Sequence, residues 1–333
     1  MSHLPELVEG LLRPEAYPHA VEQVELRQTQ MSFIFLTDSY VYKVKKPVNL
    51  GYLDYSTLEK RHFFCRQEVE LNRRLCPDVY LDVVSITRHE DRILVDGGGR
   101  VIEYAVKMRR LPVESMMDVL LAKSLVSPQM VTDVANKLAE FHQRAETNAG
   151  IGAFGDLDTV IQNTDENFSQ TTKYIGNTLS QQRYSRIEDY TKAFIEQNAS
   201  LFHKRVADGR IRDCHGDLHA AHVCFYNGIC IYDCIEFNDR FRYCDVASEV
   251  AFLAMDIDCH GRHDLSRGFV NAYVDRSKDN ELRELLDFYK CYRAYVRGKV
   301  ESFKLDDPYI SGEEKAKVLT VARRYFELAE SYI

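Results

Sequence analysis

Several features that would identify a membrane, secreted or nucleic-acid-binding protein are missing from this 333-residue sequence. No segment approaches the ~20 consecutive apolar residues that a membrane-spanning helix requires. The first ten residues, MSHLPELVEG, lack the basic stretch followed by an apolar core that a secretion signal has. There is no run of Lys or Arg beyond short pairs, and the formal net charge is -8. We therefore expect a protein without a membrane or nucleic-acid partner.

Two common phosphate- and metal-binding signatures are also absent. The sequence has no CxxC pair, the usual spacing of zinc-binding cysteines, and no GxxxxGK[ST] motif, which excludes a P-loop fold. The nine cysteines are odd in number and scattered along the chain. This pattern is typical of free thiols in a reducing compartment, so we expect a cytoplasmic location. Hydrophobic residues make up 45% of the chain, which is enough for a sizeable core.

The most informative segment is Cys214–Phe237, which reads CHGDLHAAHVCFYNGICIYDCIEF. Two short apolar runs, Val223–Tyr226 and Ile229–Tyr232, are separated by Asn227-Gly228. Asn-Gly between apolar runs favours a β-hairpin, because both residues of a two-residue turn need a positive φ. With such a turn the two runs pair outward from the dipeptide.

This register predicts a cation site at the open end of the hairpin. His222 would lie directly opposite Asp233, with Cβ atoms ~5 Å apart. The preceding loop, which carries Asp217, would be brought beside Asp233. The segment would thereby gather two carboxylates and one imidazole, a set of groups that can bind a metal ion.

Zinc binding is an alternative interpretation of the same segment. Three histidines and two cysteines are close together in the sequence: Cys214, His215, His219, His222 and Cys224. Zinc sites normally show tighter spacing signatures than this one. Cys230 and Cys234 fall across the predicted end of a strand, where their side chains share a face only if the strand continues. We rank zinc binding below the alternatives considered next.

The first half of the chain predicts an antiparallel sheet with one helix. Alternating apolar residues and turn signals indicate strands at Val24–Gln28, Ser32–Leu36, Tyr40–Lys45, Tyr80–Arg88, Arg92–Asp96 and Val101–Lys107. Between the third and fourth strands, a capping box that begins at Ser56 starts a helix, and Cys76-Pro77 ends it.

Two lysines and one acid stand out in this half. Period-two alternation puts Lys43 and Lys45 on one face of the third strand. Glu68 lies on the apolar stripe of the following helix, where an acid needs a partner. Lys43 is the natural partner, with Lys45 as the second choice. A solvated edge strand and an acid at the edge of the stripe are the alternative explanation of these residues.

The second half predicts mainly helices. Helix starts and apolar stripes indicate helices after Ser127-Pro128, near Ile187–Val206, at Val246–Met255 behind an N-cap at Asp245, and from Asn280 to Leu305. Arg293 and Arg297 lie four residues apart on the last helix and share a face. They could bind an anionic ligand or pair with acids, and we favour the second.

The order of the motifs resembles the catalytic segment of protein kinase-like phosphotransferases. In those enzymes, an Asp that accepts the proton of the attacking hydroxyl is followed five residues later by a metal-binding Asn, and a hairpin leads to a second metal-binding Asp. Here Asp217, His222 and Asp233 occupy these positions. The His-Gly-Asp form of the first motif, followed by Leu-His, resembles the aminoglycoside phosphotransferase and choline kinase-like family over residues ~24–305.

The resemblance implies an α+β, two-lobed protein kinase-like fold. An N-terminal lobe, residues 1–112, would contain the antiparallel sheet and one key helix. A larger, mainly helical C-terminal lobe, residues 113–333, would contain the catalytic loop, the metal-binding hairpin and the acceptor site. ATP would lie between the lobes with Mg²⁺ or Mn²⁺. Relatives are often fused to a P-loop kinase domain, and we expect this chain to be a stand-alone relative.

The resemblance also implies a role for each motif residue. Asp217 would orient or deprotonate the acceptor hydroxyl, while Asp233 and His222 would hold the metal. Lys43, oriented by Glu68, would hold the phosphates of ATP. Lys45 is the alternative lysine and Ser32 a further phosphate contact. The supporting residues would be His215, His219, Glu236 and Asp245, of which the last would brace the catalytic loop.

Two departures from the family pattern leave a second interpretation open. The loop between the first two strands, Gln28–Ser32, has no glycine, although kinases use glycines there to cover the phosphates. His222 stands where the family usually has Asn, and imidazole is a softer ligand than Mg²⁺ prefers. We expect an ATP-dependent kinase acting on a hydroxyl of a small molecule; the alternative is a pseudokinase, a nucleotide-binding or scaffolding module without phosphoryl transfer. The sequence specifies neither the acceptor, nor ATP over GTP, nor the oligomeric state.

Overall fold

The polypeptide forms two units, each built from two separate stretches of sequence. The computed structural model describes residues 5–307 and 310–333. The first unit runs to Met116 and also includes His222–Asp239, while the second comprises Met117–Ala221 and Arg240–Ile333. The break at Met116 is close to the boundary expected after residue 112. The hairpin, which we expected in the second lobe, groups with the first unit.

The elements are as follows. The strands are β1 (Glu25–Gln28), β2 (Ser32–Leu36), β3 (Tyr40–Lys45), β4 (Tyr80–His89), β5 (Arg92–Val95), β6 (Arg100–Arg109), β7 (Ile211–Asp213), β8 (Val223–Phe225), β9 (Ile229–Ile231) and β10 (Tyr243–Asp245). The helices are α1 (Glu6–Leu11), α2 (Leu58–Arg73), α3 (Met117–Ala122), α4 (Pro128–Arg144), α5 (Ala149–Gly152), α6 (Leu157–Thr171), α7 (Gln181–Gln197), α8 (Ala199–Ala207), α9 (Asp239–Arg242), α10 (Val246–Cys259), α11 (His263–Ser277), α12 (Leu282–Phe303) and α13 (Gly312–Glu330).

The first unit contains a six-stranded antiparallel sheet in the order β1-β2-β3-β6-β4-β5. The six predicted strands are all present, and the bounds of β2 and β3 agree with the prediction. Alternation along β3 turns Tyr42 and Val44 toward an apolar core that α1 helps to cover. The same alternation turns Lys43 and Lys45 toward Glu68 of α2.

The helix α2 begins one residue later than predicted. Its N-cap is Thr57, whose hydroxyl accepts the backbone N–H of Lys60 at 3.3 Å, rather than Ser56. The predicted capping box is therefore displaced by one residue, which does not change the face that α2 presents. The helix ends at Arg73, before the Cys76-Pro77 pair.

The hairpin β8–β9 has a different register from the predicted one. Cys224 pairs with Cys230 and Val223 with Ile231, so the connecting loop has three residues instead of two. Asn227 and Gly228 both have positive φ, as the turn prediction required. The register shift places His222 opposite Tyr232, whose backbone N–H donates to the His222 carbonyl at 3.0 Å.

The expectation that all cysteines are free thiols is wrong for two of them. Cys76, just beyond α2, and Cys230, on β9, form a disulfide with a Cα–Cα distance of 4.7 Å. The pairing joins residues 154 apart in sequence, so no local spacing signal announces it. It also removes Cys230 from the set of possible zinc ligands.

The second unit is mainly helical. Helices α4 and α11 pack together, and α12 packs against both α10 and α13. Ser127 caps α4 and Asp245 caps α10, as predicted, the latter by accepting the backbone N–H of Ala247 at 2.8 Å. The predicted helix near Ile187–Val206 is two helices, α7 and α8, divided at Asn198. In the part of the chain that the structure describes, no helix combines the length and apolar character needed to cross a membrane.

Candidate functional site

In the first unit, two lysines of β3 share one buried glutamate of α2. The Lys43 ammonium lies 2.8 Å from one Glu68 carboxylate oxygen, and the Lys45 ammonium lies 2.7 Å from the other. The prediction that Glu68 faces Lys43 is confirmed, and Lys45, the second choice, contacts it as well. Both oxygens are within reach because the two lysines point to one face of the strand.

Lys43 also contacts the carboxylate expected to bind a metal. Its ammonium donates a 2.7 Å hydrogen bond to Asp233. Burial alone would lower the pKa of Lys43, but the charges of Asp233 and Glu68 outweigh it and raise that pKa well above its ordinary value. Burial alone would raise the pKa of Glu68, but the ammonium groups of Lys43 and Lys45 hold that pKa below its ordinary value. The lysines are cations and Glu68 is an anion at neutral pH.

The backbone around Asp233 is held in a conformation that few residues adopt. Asp233 has φ = 64°, in the left-handed region, which is costly for a residue with a side chain. Its backbone N–H donates to the Tyr80 hydroxyl at 3.1 Å, and the next N–H, of Cys234, donates to the Asn72 amide oxygen at 2.9 Å. Strain of this kind, over-determined by neighbouring hydrogen bonds, is typical of functional positions. Sequence reasoning missed both Tyr80 and Asn72.

His222 and Asp233 are adjacent, as predicted, although the hairpin register differs. The His222 Nε2 atom lies 3.5 Å from Asp233 Oδ2, while Oδ1 receives Lys43. The Asp233 side chain is 40% exposed, so it can accept a further ligand. A carboxylate beside an imidazole fits a divalent cation, and the imidazole favours Mn²⁺ over the harder Mg²⁺. The donor set of this chain is therefore compatible with the implied metal.

The structure does not support the predicted phosphate contact of Ser32. The residue is 2% exposed, and its backbone N–H is bound by the Thr29 hydroxyl at 3.0 Å. Thr29 N–H donates back to the Ser32 carbonyl at 2.9 Å, which closes a tight turn between β1 and β2. This turn is short and internally bonded, unlike a glycine-rich phosphate-covering loop.

In the second unit, the predicted catalytic loop follows β7. Asp217 is 35% exposed, and its Oδ2 lies 3.5 Å from His219 Nε2. The Asp217 backbone N–H donates to His215 Nδ1 at 3.3 Å, so the buried His215 ring fixes the chain just before the acid. Gly216 has φ = 88°, which explains the glycine between the two. His219 thus lies beside the Asp217 carboxylate, while His215 holds the Asp217 backbone.

A buried glutamate that sequence reasoning missed holds this loop. One oxygen of Glu249, on α10, accepts the backbone N–H groups of His215 and Gly216, each at 2.7 Å. The other oxygen lies 2.7 Å from His142 Nε2, and His142 Nδ1 lies 2.7 Å from the Tyr273 hydroxyl. Burial disfavours the charged acid, but His142, His215 and the backbone donors lower the pKa of Glu249 to about 2. An acid within the apolar run VASEVAFLAM was the available signal.

The carboxylate of Asp245, which we expected to brace the catalytic loop, contacts other groups. Its carboxylate forms two hydrogen bonds with the buried Arg205 guanidinium, at 2.6 and 2.9 Å, and caps α10. Arg205 also donates to Asp279 at 2.6 Å. Arg293, by contrast, reaches the loop: its guanidinium donates to the Gly216 carbonyl at 3.3 Å. Glu249 and Arg293 therefore hold the loop from its N–H and carbonyl sides.

No family model matches the sequence. Uncharacterized proteins of Mycobacterium tuberculosis and Mycobacterium bovis are each 34% identical over 289 residues, which is 86% of this chain and 56% of the relative. The chain thus spans about half the length of these curated relatives, and the expectation of a stand-alone protein stays a prediction.

Three solved structures share the fold at low sequence identity. A choline/ethanolamine kinase family protein from Mesorhizobium loti has a TM-score of 0.51 at 10% identity, covering 98% of this chain and 100% of its own. An ethanolamine kinase of Plasmodium vivax gives 0.53 at 9%, covering 93% and 83%. An amicoumacin kinase in complex with AMP-PNP, Ca²⁺ and amicoumacin gives 0.56 at 11%, covering 96% and 92%. The chain therefore has the α+β, protein kinase-like fold that its resemblance to the aminoglycoside phosphotransferase and choline kinase-like family predicts.

Proposed function

We propose that this protein is an ATP-dependent phosphotransferase that acts on a hydroxyl group of a small molecule. The observation that carries the proposal is the contact of Lys43 with both Glu68 and Asp233 in the first unit. A lysine so placed between a helix acid and a metal-binding acid is the arrangement that kinases use for nucleotide phosphates. The kinase-like fold supports the same reaction class without identifying the acceptor.

The residues of the first unit would hold the nucleotide and its metal. Asp233 and Glu68 keep Lys43 in its cationic form, which can bind phosphate oxygens, and the contact with Glu68 anchors the ammonium group to α2. Asp233 and His222 offer one carboxylate and one imidazole to Mg²⁺ or Mn²⁺. When bound, ATP and the metal supply the phosphoryl group and neutralise its charge. A cytoplasmic location remains a prediction.

The second unit would supply the group that acts on the acceptor. The partly exposed carboxylate of Asp217 can accept the proton of a hydroxyl that attacks the phosphoryl group. His215 accepts the backbone N–H of Asp217, and Glu249 accepts those of His215 and Gly216, so the carboxylate is positioned before the acceptor binds. Positioning of this kind, together with electrostatic stabilisation, carries most of the catalysis in phosphoryl transfer.

The alternative is a pseudokinase, and one observation favours it. The turn between β1 and β2 is closed by Thr29 and Ser32 and has no glycine, so it offers little backbone for phosphates. This alternative retains nucleotide binding by Lys43 and Asp233 and removes only the transfer step.

An Asp217→Asn variant distinguishes the two. For a kinase, the variant should lose transfer almost completely while its affinity for ATP stays close to wild type, because Asp217 acts on the acceptor. Binding is measured by calorimetry, and transfer by ADP release over a panel of amino alcohols, amino sugars and aminoglycosides. Asp189→Asn, an exposed acid on α7, is the matched control. A wild-type protein that binds ATP but transfers to no acceptor would favour the pseudokinase.

A further inference from the structure

Lys45 is enclosed far more completely than Lys43. Its side chain is 1% exposed, compared with 14% for Lys43. The Lys45 ammonium contacts Glu236, and it lies 2.7 Å from Glu68 and 3.4 Å from the Tyr55 hydroxyl. The Tyr55 hydroxyl in turn donates to Glu236 at 2.6 Å. Lys45 therefore sits inside a closed set of polar partners.

Glu236 connects this set to the metal-binding acid. It lies three residues after Asp233 in the sequence, and it is 8% exposed. The intervening backbone is fixed by Tyr80 and Asn72, as described above. The segment Asp233–Glu236 is thus held at both ends, by Tyr80 at its start and by Lys45 with Tyr55 at its end.

The charges of this cluster are nearly balanced. Two lysines, Lys43 and Lys45, face three acids: Glu68, Asp233 and Glu236. Burial lowers the pKa of Lys45, but Glu236 and Glu68 outweigh it and raise that pKa well above its ordinary value. Without Lys45, all three acids, two of them buried, would have only Lys43 as a cation, and an uncompensated buried charge is strongly unfavourable.

We propose that Lys45 is a positioning residue that fixes the segment Asp233–Glu236 through Glu236 and frees Lys43 to bind the nucleotide. This inference rests on the proposed kinase function and assigns separate roles to the two lysines. Lys45 holds one oxygen of Glu68 and one of Glu236, so neither acid competes fully for Lys43. To reach a phosphate, Lys45 would have to break its contacts with Glu68 and Glu236, and both carboxylates would then be buried without that cation. Lys43 is already partly exposed.

A charge-compensated pair of variants separates positioning from phosphate contact. Lys45→Met removes the cation and leaves the buried carboxylate of Glu236 without an ammonium partner. Lys45→Met with Glu236→Gln removes one charge of each sign, and the amide oxygen of the introduced glutamine can still accept the Tyr55 hydroxyl. Lys43→Met with Glu236→Gln has the same formal charge but loses the other lysine, and is the matched control. Each is tested by calorimetric titration with Mn²⁺–ATP, after circular dichroism has verified the fold.

The three variants should differ in their affinity for Mn²⁺–ATP. Lys45→Met should lose about tenfold or more in Mn²⁺–ATP affinity, because Lys43 is drawn toward the uncompensated acids. The compensated Lys45→Met/Glu236→Gln protein should return to within about threefold of wild type, because it leaves Glu236 uncharged and the Tyr55 hydroxyl still anchors residue 236. The Lys43→Met/Glu236→Gln control should stay weak. If the compensated Lys45 protein binds as weakly as Lys45→Met, Lys45 itself contacts the nucleotide and the proposal is overturned.

The behaviour of the wild-type protein separates an error in the proposed function from an error in this inference. A wild-type protein that does not bind Mn²⁺–ATP contradicts the proposed function and the inference together, whatever the variants do. If Lys45→Met does not fold, Tyr55→Phe is the milder test, since it removes only the hydroxyl that donates to Glu236. It should weaken Mn²⁺–ATP binding more than binding of ATP without metal. Equal effects on the two, or none, would overturn the proposal.

Discussion

Glu249 provides the most direct quantitative test of the second unit. We expect Glu249→Gln to lower the free energy of unfolding of this unit at pH 7 by about 3 kcal/mol, since glutamine resembles the protonated acid. The value follows from the pKa of Glu249, which falls from 4.5 to about 2 on folding. The physical source is the pair of backbone N–H groups on one oxygen and His142 on the other.

The pH dependence follows from the sign of this shift. Because the folded pKa of Glu249 is depressed, its contribution is complete above about pH 4.5 and is lost as the pH falls toward 2. The difference between wild type and Glu249→Gln should therefore shrink to about 1.4 kcal/mol at pH 3. Urea unfolding followed by far-UV circular dichroism is suitable because the chain contains no tryptophan.

The control is Glu196→Gln, which changes an exposed acid on α7. Its free energy of unfolding should equal that of wild type at pH 7 and at pH 3. Equal unfolding midpoints for wild type and Glu249→Gln at pH 7 would refute the role of Glu249 in holding the catalytic loop. So would a difference that stays constant between pH 7 and pH 3, because it could not arise from the charge of Glu249.

Two further predictions concern the first unit. Reduction of the Cys76–Cys230 disulfide should destabilise this unit by at most about 5 kcal/mol, the loop-closure value for a separation of 154 residues. Wild type in dithiothreitol should then unfold at the same urea concentration as Cys76→Ser. A wild-type unfolding midpoint that does not change with reductant would contradict the disulfide. His222→Asn should shift metal preference in nucleotide binding from Mn²⁺ toward Mg²⁺ and remove the loss of metal affinity on acidification, because a protonated imidazole cannot bind a metal. Titrations with each metal at two pH values would show it, and identical profiles would leave His222 as only a structural neighbour of Asp233.

The sequence was sufficient for features that depend on local periodicity. Alternation of side chains fixed the bounds of β2 and β3 and put Lys43 and Lys45 on one face. The adjacency of His222 and Asp233 was also predictable despite the wrong hairpin register. Both residues lie beyond the paired strands, where a slip of one residue no longer turns a side chain to the opposite face.

Features that depend on distant partners could not be predicted. Asp245 and Glu249 are four residues apart, and nothing local indicates which of them holds the catalytic loop. The choice is made by Arg205, which binds Asp245, and by His142, which binds Glu249. The same limit applies to the Cys76–Cys230 disulfide.

The discontinuous construction of the first unit has a consequence for how the protein is made. Lys43 and Lys45 of β3 are followed within the first 116 residues by only one of their acids, Glu68, while Asp233 and Glu236 come more than 100 residues later. A nascent chain that has emerged only to Met116 therefore carries two lysines at a face where one carboxylate is available. Because isolated buried charges oppose collapse, this sheet should close only after Asp239 has left the ribosome, and the helical segment between must emerge first.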